Sequence, residues 1–138
     1  MRFRNFVPLL AMLALITLSW SQDYQPKFKG DPAKSDSEAA ALGFMRTVVT
    51  AEKNYKSKHN VYCPTLAGLA GTGSITRRTV ASNKRGDYTV GFSGTAEGYR
   101  LTMTPTTIDA THRAFFVDQS AKIKAEEDKP ATADSPAA

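Results

Sequence analysis

Along Ser35–Tyr62 the apolar positions recur with the spacing of one long amphipathic helix. On a wheel of about 100° per residue, Ala41, Met45, Val48, Val49, Glu52, Tyr55 and His59 share one face. Gly43, Arg46, Thr47, Thr50, Lys53, Asn54 and Ser57 take the other. Ser35 followed by Glu38 has the spacing of a capping box, in which each side chain satisfies a free N–H of the first turn. Asp36 and Glu38 suit the positive end of the helix dipole. Asn60 suits a left-handed stop, and Pro64 forbids continuation. A helix of this kind cannot bury its own stripe, so whatever follows must cover it.

After the helix, Cys63–Leu69 reads as a turn with Leu66 and Leu69 facing inward, and Ala70–Gly86 as a loop rich in Gly, Ser and Thr. The period then changes to that of strands. Tyr88, Val90 and Phe92 alternate with polar or small residues, as do Tyr99, Leu101 and Met103 up to Pro105, with Ser93–Gly98 as the loop between. His112–Val117 reads as a third strand and Ala121–Ala125 as a short fourth. Short connections favour an antiparallel meander. The expected fold is α+β: one long N-terminal helix packed on a three- to four-stranded antiparallel β-sheet. A charged Arg113 is expected to face outward, which would place Ala114 and Phe116 in the core and Phe115 outside. Gln22–Lys34 reads as a polar linker. The tail from Glu126 to Ala138, acidic and then rich in Pro and Ala, reads as disordered.

The amino terminus changes the class of protein. Arg2 and Arg4 precede the apolar run Val7–Leu18, and Ser19 and Ser21 flank Trp20 as small residues before a cleavage point at Gln22. This is the pattern of a secretory signal over residues 1–21. A spanning helix needs roughly 20 apolar residues, so the run is short for a permanent anchor. The expectation is export to the periplasm or exterior, with no stable membrane span after cleavage. An uncleaved signal would make a single-pass membrane protein. The formal charge of the 138-residue chain is +5; loss of Arg2 and Arg4 leaves +5 − 2 = +3, a modest excess that permits acidic partners without demanding them. Cys63 is the only cysteine, so no intrachain disulfide can form.

The order of these parts resembles the globular headgroup of type IV pilins and of the major pseudopilin of type II secretion. Thr50-Ala51-Glu52-Lys53-Asn54-Tyr55 looks like the exposed half of that family's helix, and Tyr62-Cys63-Pro64-Thr65-Leu66-Ala67-Gly68-Leu69 like the segment after it. Val80–Tyr88 resembles the loop into the first strand, Gly98–Pro105 the second strand, and Arg113–Asp118 the third with its turn-opening Asp. The resemblance runs from about Ser35 to Lys124 and implies a headgroup-like domain over residues 35–125. The family's leader peptide and long apolar anchor helix have no counterpart here. Arg46, Lys53, Lys56 and Lys58 stand in the first helix, and Ala121 follows Asp118 where the family often has Gly.

Several groupings invite chemistry. Cys63 and His59, four apart, would make a thiolate–imidazole nucleophile if the helix ran one turn further. No orienting carboxylate or oxyanion motif accompanies them, and a buried thiol beside a helix-end histidine accounts for both. His59, Cys63, His112 and Asp118 match no recognised zinc spacing, and Glu126, Glu127 and Asp128 lack the alternation of a calcium loop. The expectation is therefore no enzyme activity, no metal and no cofactor. Arg77, Arg78, Lys84 and Arg85 form a basic loop able to meet an anionic partner. Glu52 is a carboxylate inside an apolar stripe, costly there unless bonded. It is expected to accept from main-chain N–H groups after Tyr62, acting as a tether with a lowered pKa. Taken together, the sequence predicts an exported, non-enzymatic, pilin-like protein that acts by interaction with a protein partner, in association with a pilus or type II secretion-like system. The rival is a soluble basic module for nucleic acid or an acidic polymer.

Overall fold

A computed structural model describes residues 23–138. The proposed signal at 1–21 and its cleavage point lie outside the described residues. The elements run α1 (Asp36–His59), α2 (Leu66–Leu69), a 3-10 turn (Ala70–Thr72), α3 (Arg77–Val80), β1 (Lys84–Arg85), β2 (Tyr88–Thr95), β3 (Gly98–Pro105), β4 (Ala114–Asp118) and β5 (Lys124–Glu126). The fold is α+β, with one antiparallel sheet in the order β1-β2-β3-β4-β5. Five strands replace the expected three or four, because Lys84–Arg85, read as loop, folds back onto Tyr88 and Thr89. α1 is preceded by an ordered turn, in which the Tyr24 hydroxyl donates to Asp31 Oδ2 at 2.7 Å.

The ends of α1 follow from their residues. Ser35 Oγ accepts from the Glu38 N–H at 3.1 Å, and Asn60 takes φ +61° while its N–H donates to the Lys56 carbonyl. Glu38, however, does not complete a capping box. Its carboxylate turns inward to the Lys34 N–H and to Arg113. The buried side of α1 is Glu38, Ala41, Leu42, Phe44, Met45, Val48, Ala51 and Glu52. This stripe is broader than the expected face by Glu38, Leu42, Phe44 and Ala51, whereas His59 lies exposed on the last turn.

Alternation places Tyr88, Val90, Leu101 and Met103 under the helix. β4 joins them through Phe115 opposite Met103 and Val117 opposite Leu101. The register expected for this strand is therefore off by one. Phe115 belongs to the main core, while Ala114 and Phe116 lie on the far side of the sheet with Ala131 and Ile108. The β2–β3 hairpin is tighter than its expected loop, turning at Ala96–Glu97 with Thr95 opposite Gly98. After Asp118 the chain turns with Ala121 at φ +62°, a left-handed conformation that glycine adopts more cheaply.

The tail is ordered, contrary to expectation. The Ala125 N–H donates to the Pro136 carbonyl at 2.9 Å and the Ala138 N–H to the Ile123 carbonyl at 3.0 Å, with Lys124 bridged to Ala137. Composition pointed to disorder because the segment is poor in large apolar residues. It is held by main-chain bonds to the free edge of β5, and by Ala131 packed on Phe116, neither of which composition reveals.

Candidate functional site

Two buried carboxylates of α1 fasten the helix to what lies beneath it. At the first turn Glu38 is fully buried and accepts from the Arg113 main-chain N–H at 2.9 Å, from Arg113 Nε at 3.0 Å and Nη2 at 2.9 Å, and from the Lys34 N–H at 2.8 Å. Arg113 Nη2 also donates to the Pro32 carbonyl at 2.7 Å. The Tyr88 hydroxyl donates to the Arg113 carbonyl at 2.9 Å, and burial pushes the Tyr88 phenol upward. Arg113 is thus buried, not outward. Both carboxylate oxygens of Glu38 and the Nε and Nη2 of Arg113 have partners, which is what allows two charges to sit in a low-dielectric interior. Sequence reasoning missed it because each residue had a plausible solvent-side role, Glu38 as a cap and Arg113 as an exposed strand residue. The residue spacing carries no signal across seventy-five positions of chain.

Further along the helix, the Cys63 N–H donates to Glu52 Oε2 at 2.9 Å. The main-chain contact expected of Glu52 is present, but its electrostatic effect is the reverse of that expected. Burial raises the Glu52 carboxyl above its usual range, and the single bond from Cys63 offsets this only in part. Glu52 Oε1 is buried without a hydrogen-bond partner among the described residues. Next to this contact the Tyr62 N–H donates to the Ala96 carbonyl at 3.0 Å. The segment leaving α1 is therefore pinned both to the helix and to the β2–β3 turn. Gly94 permits this approach: a Cβ there would stand 2.9 Å from the Cys63 carbonyl oxygen and from Pro64 Cα.

The other residues singled out by sequence do not converge. Cys63 is buried with its thiol directed to the Thr65 carbonyl at 3.2 Å, while His59 lies against the Tyr55 ring at 4.2 Å between centroids. His112 instead meets Asp109 at 3.1 Å, and the Asp109 carboxyl is held low, chiefly by the Thr111 N–H. Among the described residues no group of three His, Cys, Asp or Glu side chains is placed to hold a metal ion. In the basic loop, Arg77 and Arg78 are exposed on the single turn of α3. Lys84 Nζ donates to Thr89 Oγ1 at 2.8 Å. Arg85 is half-buried, with its guanidinium 4.7 Å from the centre of the Phe44 ring. One of the four cations is thus committed to packing. Glu127 accepts from Lys34 Nζ at 2.7 Å, and that bond lowers its pKa.

On the outer face of the sheet a groove of about 790 Å³ opens between β2–β3 and the tail, with Arg100, Asp118, Gln119, Thr102 and Thr132 among its lining residues. A smaller hollow of about 210 Å³ lies beside Tyr55 and His59 at the end of α1. No described helix is long and apolar enough to cross a membrane. Comparison with known proteins finds no matching family model, no matching curated protein and no matching solved structure.

Proposed function

We propose that the chain is an exported, non-enzymatic protein with a pilin-like headgroup, acting by contact with a protein partner of a pilus or type II secretion-like system. The observation that carries the reading is the way α1 is held. A long helix crosses an antiparallel meander and is fixed at its start by Glu38–Arg113 and towards its end by Glu52–Cys63. That construction makes a firmly held body whose exposed loops and outer sheet face are the parts left to meet something else. The Cys63 thiol, the one strong nucleophile in the chain, is packed away against Thr65, which favours a structural role for it. Arg85 stacked on Phe44 reduces the basic loop and weighs against the rival nucleic-acid module.

The test is recovery of the protein from its host with intact-mass and N-terminal analysis, together with deletion of its gene. The expected chain starts at or near Gln22 outside the cytoplasm, and its loss alters filament assembly or secretion. A cytoplasmic chain that keeps Met1, or a deletion that leaves both processes unchanged, overturns the reading. Retention of duplex DNA at about 150 mM salt would move the protein to the rival class.

A further inference from the structure

Glu52 is fully buried on α1, yet only one of its oxygens is engaged. Oε2 accepts from the Cys63 N–H at 2.9 Å, and Oε1 has no partner among the described residues. α1 packs on α2, the 3-10 turn and β4. α2 and the 3-10 turn contain no titratable residue. β4 ends in Asp118, a second acid, and Arg113 just before it is engaged with Glu38. β3 brings the Tyr99 phenol, which burial first, and then Glu52, Tyr62 and Asp118, push upward. The segment leaving α1 brings the Tyr62 phenol and the Cys63 thiol, and Glu97 stands exposed on the turn beyond it. On α1 itself Lys53 is exposed, Lys56 is turned to the Asn60 carbonyl at 2.9 Å and over the Tyr62 ring, and His59 lies against Tyr55. No cation therefore offsets the charge that Glu52 would carry.

The partner of Glu52 belongs to a thin piece of chain. After the left-handed Asn60, two main-chain donors hold the segment, Tyr62 to the Ala96 carbonyl and Cys63 to Glu52. Val61 and Pro64 are exposed on either side of them. This segment carries the Cys63 thiol inward, where it is 2% exposed and directed to the Thr65 carbonyl. The thiol fills the space that a Cβ on Gly68 would take. We propose that Glu52 is a pH-dependent latch: neutral, it keeps Tyr62–Pro64 closed over the Cys63 thiol, and ionised, it lets the segment lift so that water reaches Oε1 and the thiol becomes accessible.

The sign follows from the two oxygens. A neutral carboxyl tolerates one unpartnered oxygen far better than a carboxylate does, because the charged form loses the several donors that water supplies. Ionisation strengthens the bond from Cys63, but burial outweighs it, and the group is held above the ordinary carboxyl range. Once the segment lifts, the carboxyl is wet and titrates as an ordinary one. The closed form is therefore at full strength below the ordinary carboxyl pKa and loses ground as pH rises through the native one. The Tyr62–Ala96 bond and the edge contact of the Tyr62 and Tyr99 rings, 5.6 Å between centroids, oppose the lifting at every pH. The latch does not depend on the headgroup-like reading, and its failure would leave that reading where it stands.

The experiment is pulsed labelling of the full chain with methyl methanethiosulfonate from about pH 5 to about pH 8, read by intact mass. Each rate is divided by that of the urea-unfolded chain at the same pH, so that the thiol's own ionisation cancels. Protection of the Cys63 thiol should fall by about fivefold or more across the range. At every pH it should lie about a hundredfold below the exchange protection of the Leu101 amide, since a local opening precedes global unfolding. Glu52→Gln, which still accepts from Cys63 and cannot ionise, should keep the low-pH protection throughout. Gly94→Ala sets a Cβ 2.9 Å from the Cys63 carbonyl oxygen and from Pro64 Cα, and should leave the thiol weakly protected at every pH. A parent whose protection does not change with pH overturns the proposal, as does a Glu52→Gln chain that keeps the parent's slope. A thiol as well protected as the Leu101 amide also overturns it, because labelling would then report global unfolding. Gly94→Ala with the parent's protection would mean that some other segment covers the thiol, and would overturn it too.

Discussion

Glu52 shows how a correct contact can carry the opposite electrostatic consequence. Its place in the apolar stripe was readable from the helical period, and the need for a bond partner followed from its charge. What the sequence could not supply was the balance between one donor, the Cys63 N–H, and complete burial. Burial prevails, and the carboxyl is raised. A raised pKa means that the native state holds the proton more tightly than the unfolded chain. Stability from this group therefore falls as pH rises from the unfolded value of about 4.3 through the native one. Glu52→Gln should remove that decline, since the amide oxygen can still accept from Cys63, and should match or exceed the parent at pH 7 in urea midpoints measured from pH 4 to pH 8. Glu52→Ala leaves the Cys63 N–H without a partner and should cost about 1–3 kcal/mol. Asp31 and Asp109 slope the other way, because the Lys27 and Thr111 N–H groups hold them low. Their contribution is present above the unfolded carboxyl pKa and is lost as pH falls through the native one, so acid unfolding should persist in every variant. A Glu52→Gln profile parallel to the parent's over the whole range would sink the account.

At the scale of elements, the helix and the two long strands were legible because each carries a period. α1 ends at the cap residues that its sequence announces, and β2 and β3 alternate cleanly. β4 was misread for a physical reason: Arg113 was assigned to solvent by its charge, and that single assignment inverted every residue after it. In the structure Arg113 shares the inner side with Phe115 and Val117 because Glu38 waits there. Phe115→Ala should cost about 3–5 kcal/mol. Phe116→Ala should cost less, since the tail and Ala131 can close over the space it leaves. Equilibrium unfolding of the two variants checks the order, and the reverse order would restore the outward Phe115. For the ion pair, Arg113→Ala strands a buried carboxylate and should cost about 3–5 kcal/mol. Replacing both partners, as in Glu38→Leu with Arg113→Met, should cost clearly less than Arg113→Ala alone. A double replacement at least as damaging would mean that the pair itself, with its bonds to Lys34 and Pro32, stabilises the fold beyond its desolvation.

For the whole molecule the sheet has two edges, and the chain treats them differently. β1 covers only the start of β2, while the tail lies along β5 and reaches round to Ala114 and Phe116 on the outer face. Neither arrangement was legible. β1 is two residues long and carries no period, and the tail has a composition that would leave it unstructured in isolation. Both are held by main-chain bonds to neighbouring parts of the sheet, so both are consequences of tertiary structure rather than of local preference. Removal of residues 131–138 should expose Phe116 and the β5 edge together. The lost main-chain bonds and the uncovered aromatic should lower stability by about 2 kcal/mol, read as a shift of the urea midpoint. The bare edge should also make the truncated chain scatter light at concentrations where the full chain stays clear, because an unpaired strand is a template for intermolecular pairing. Equal midpoints and equal scattering would mean that the tail rests on the sheet without contributing to it. The outer groove beside Arg100 and Asp118 would then have to be regarded as an open face of the sheet, free for a partner along its whole width.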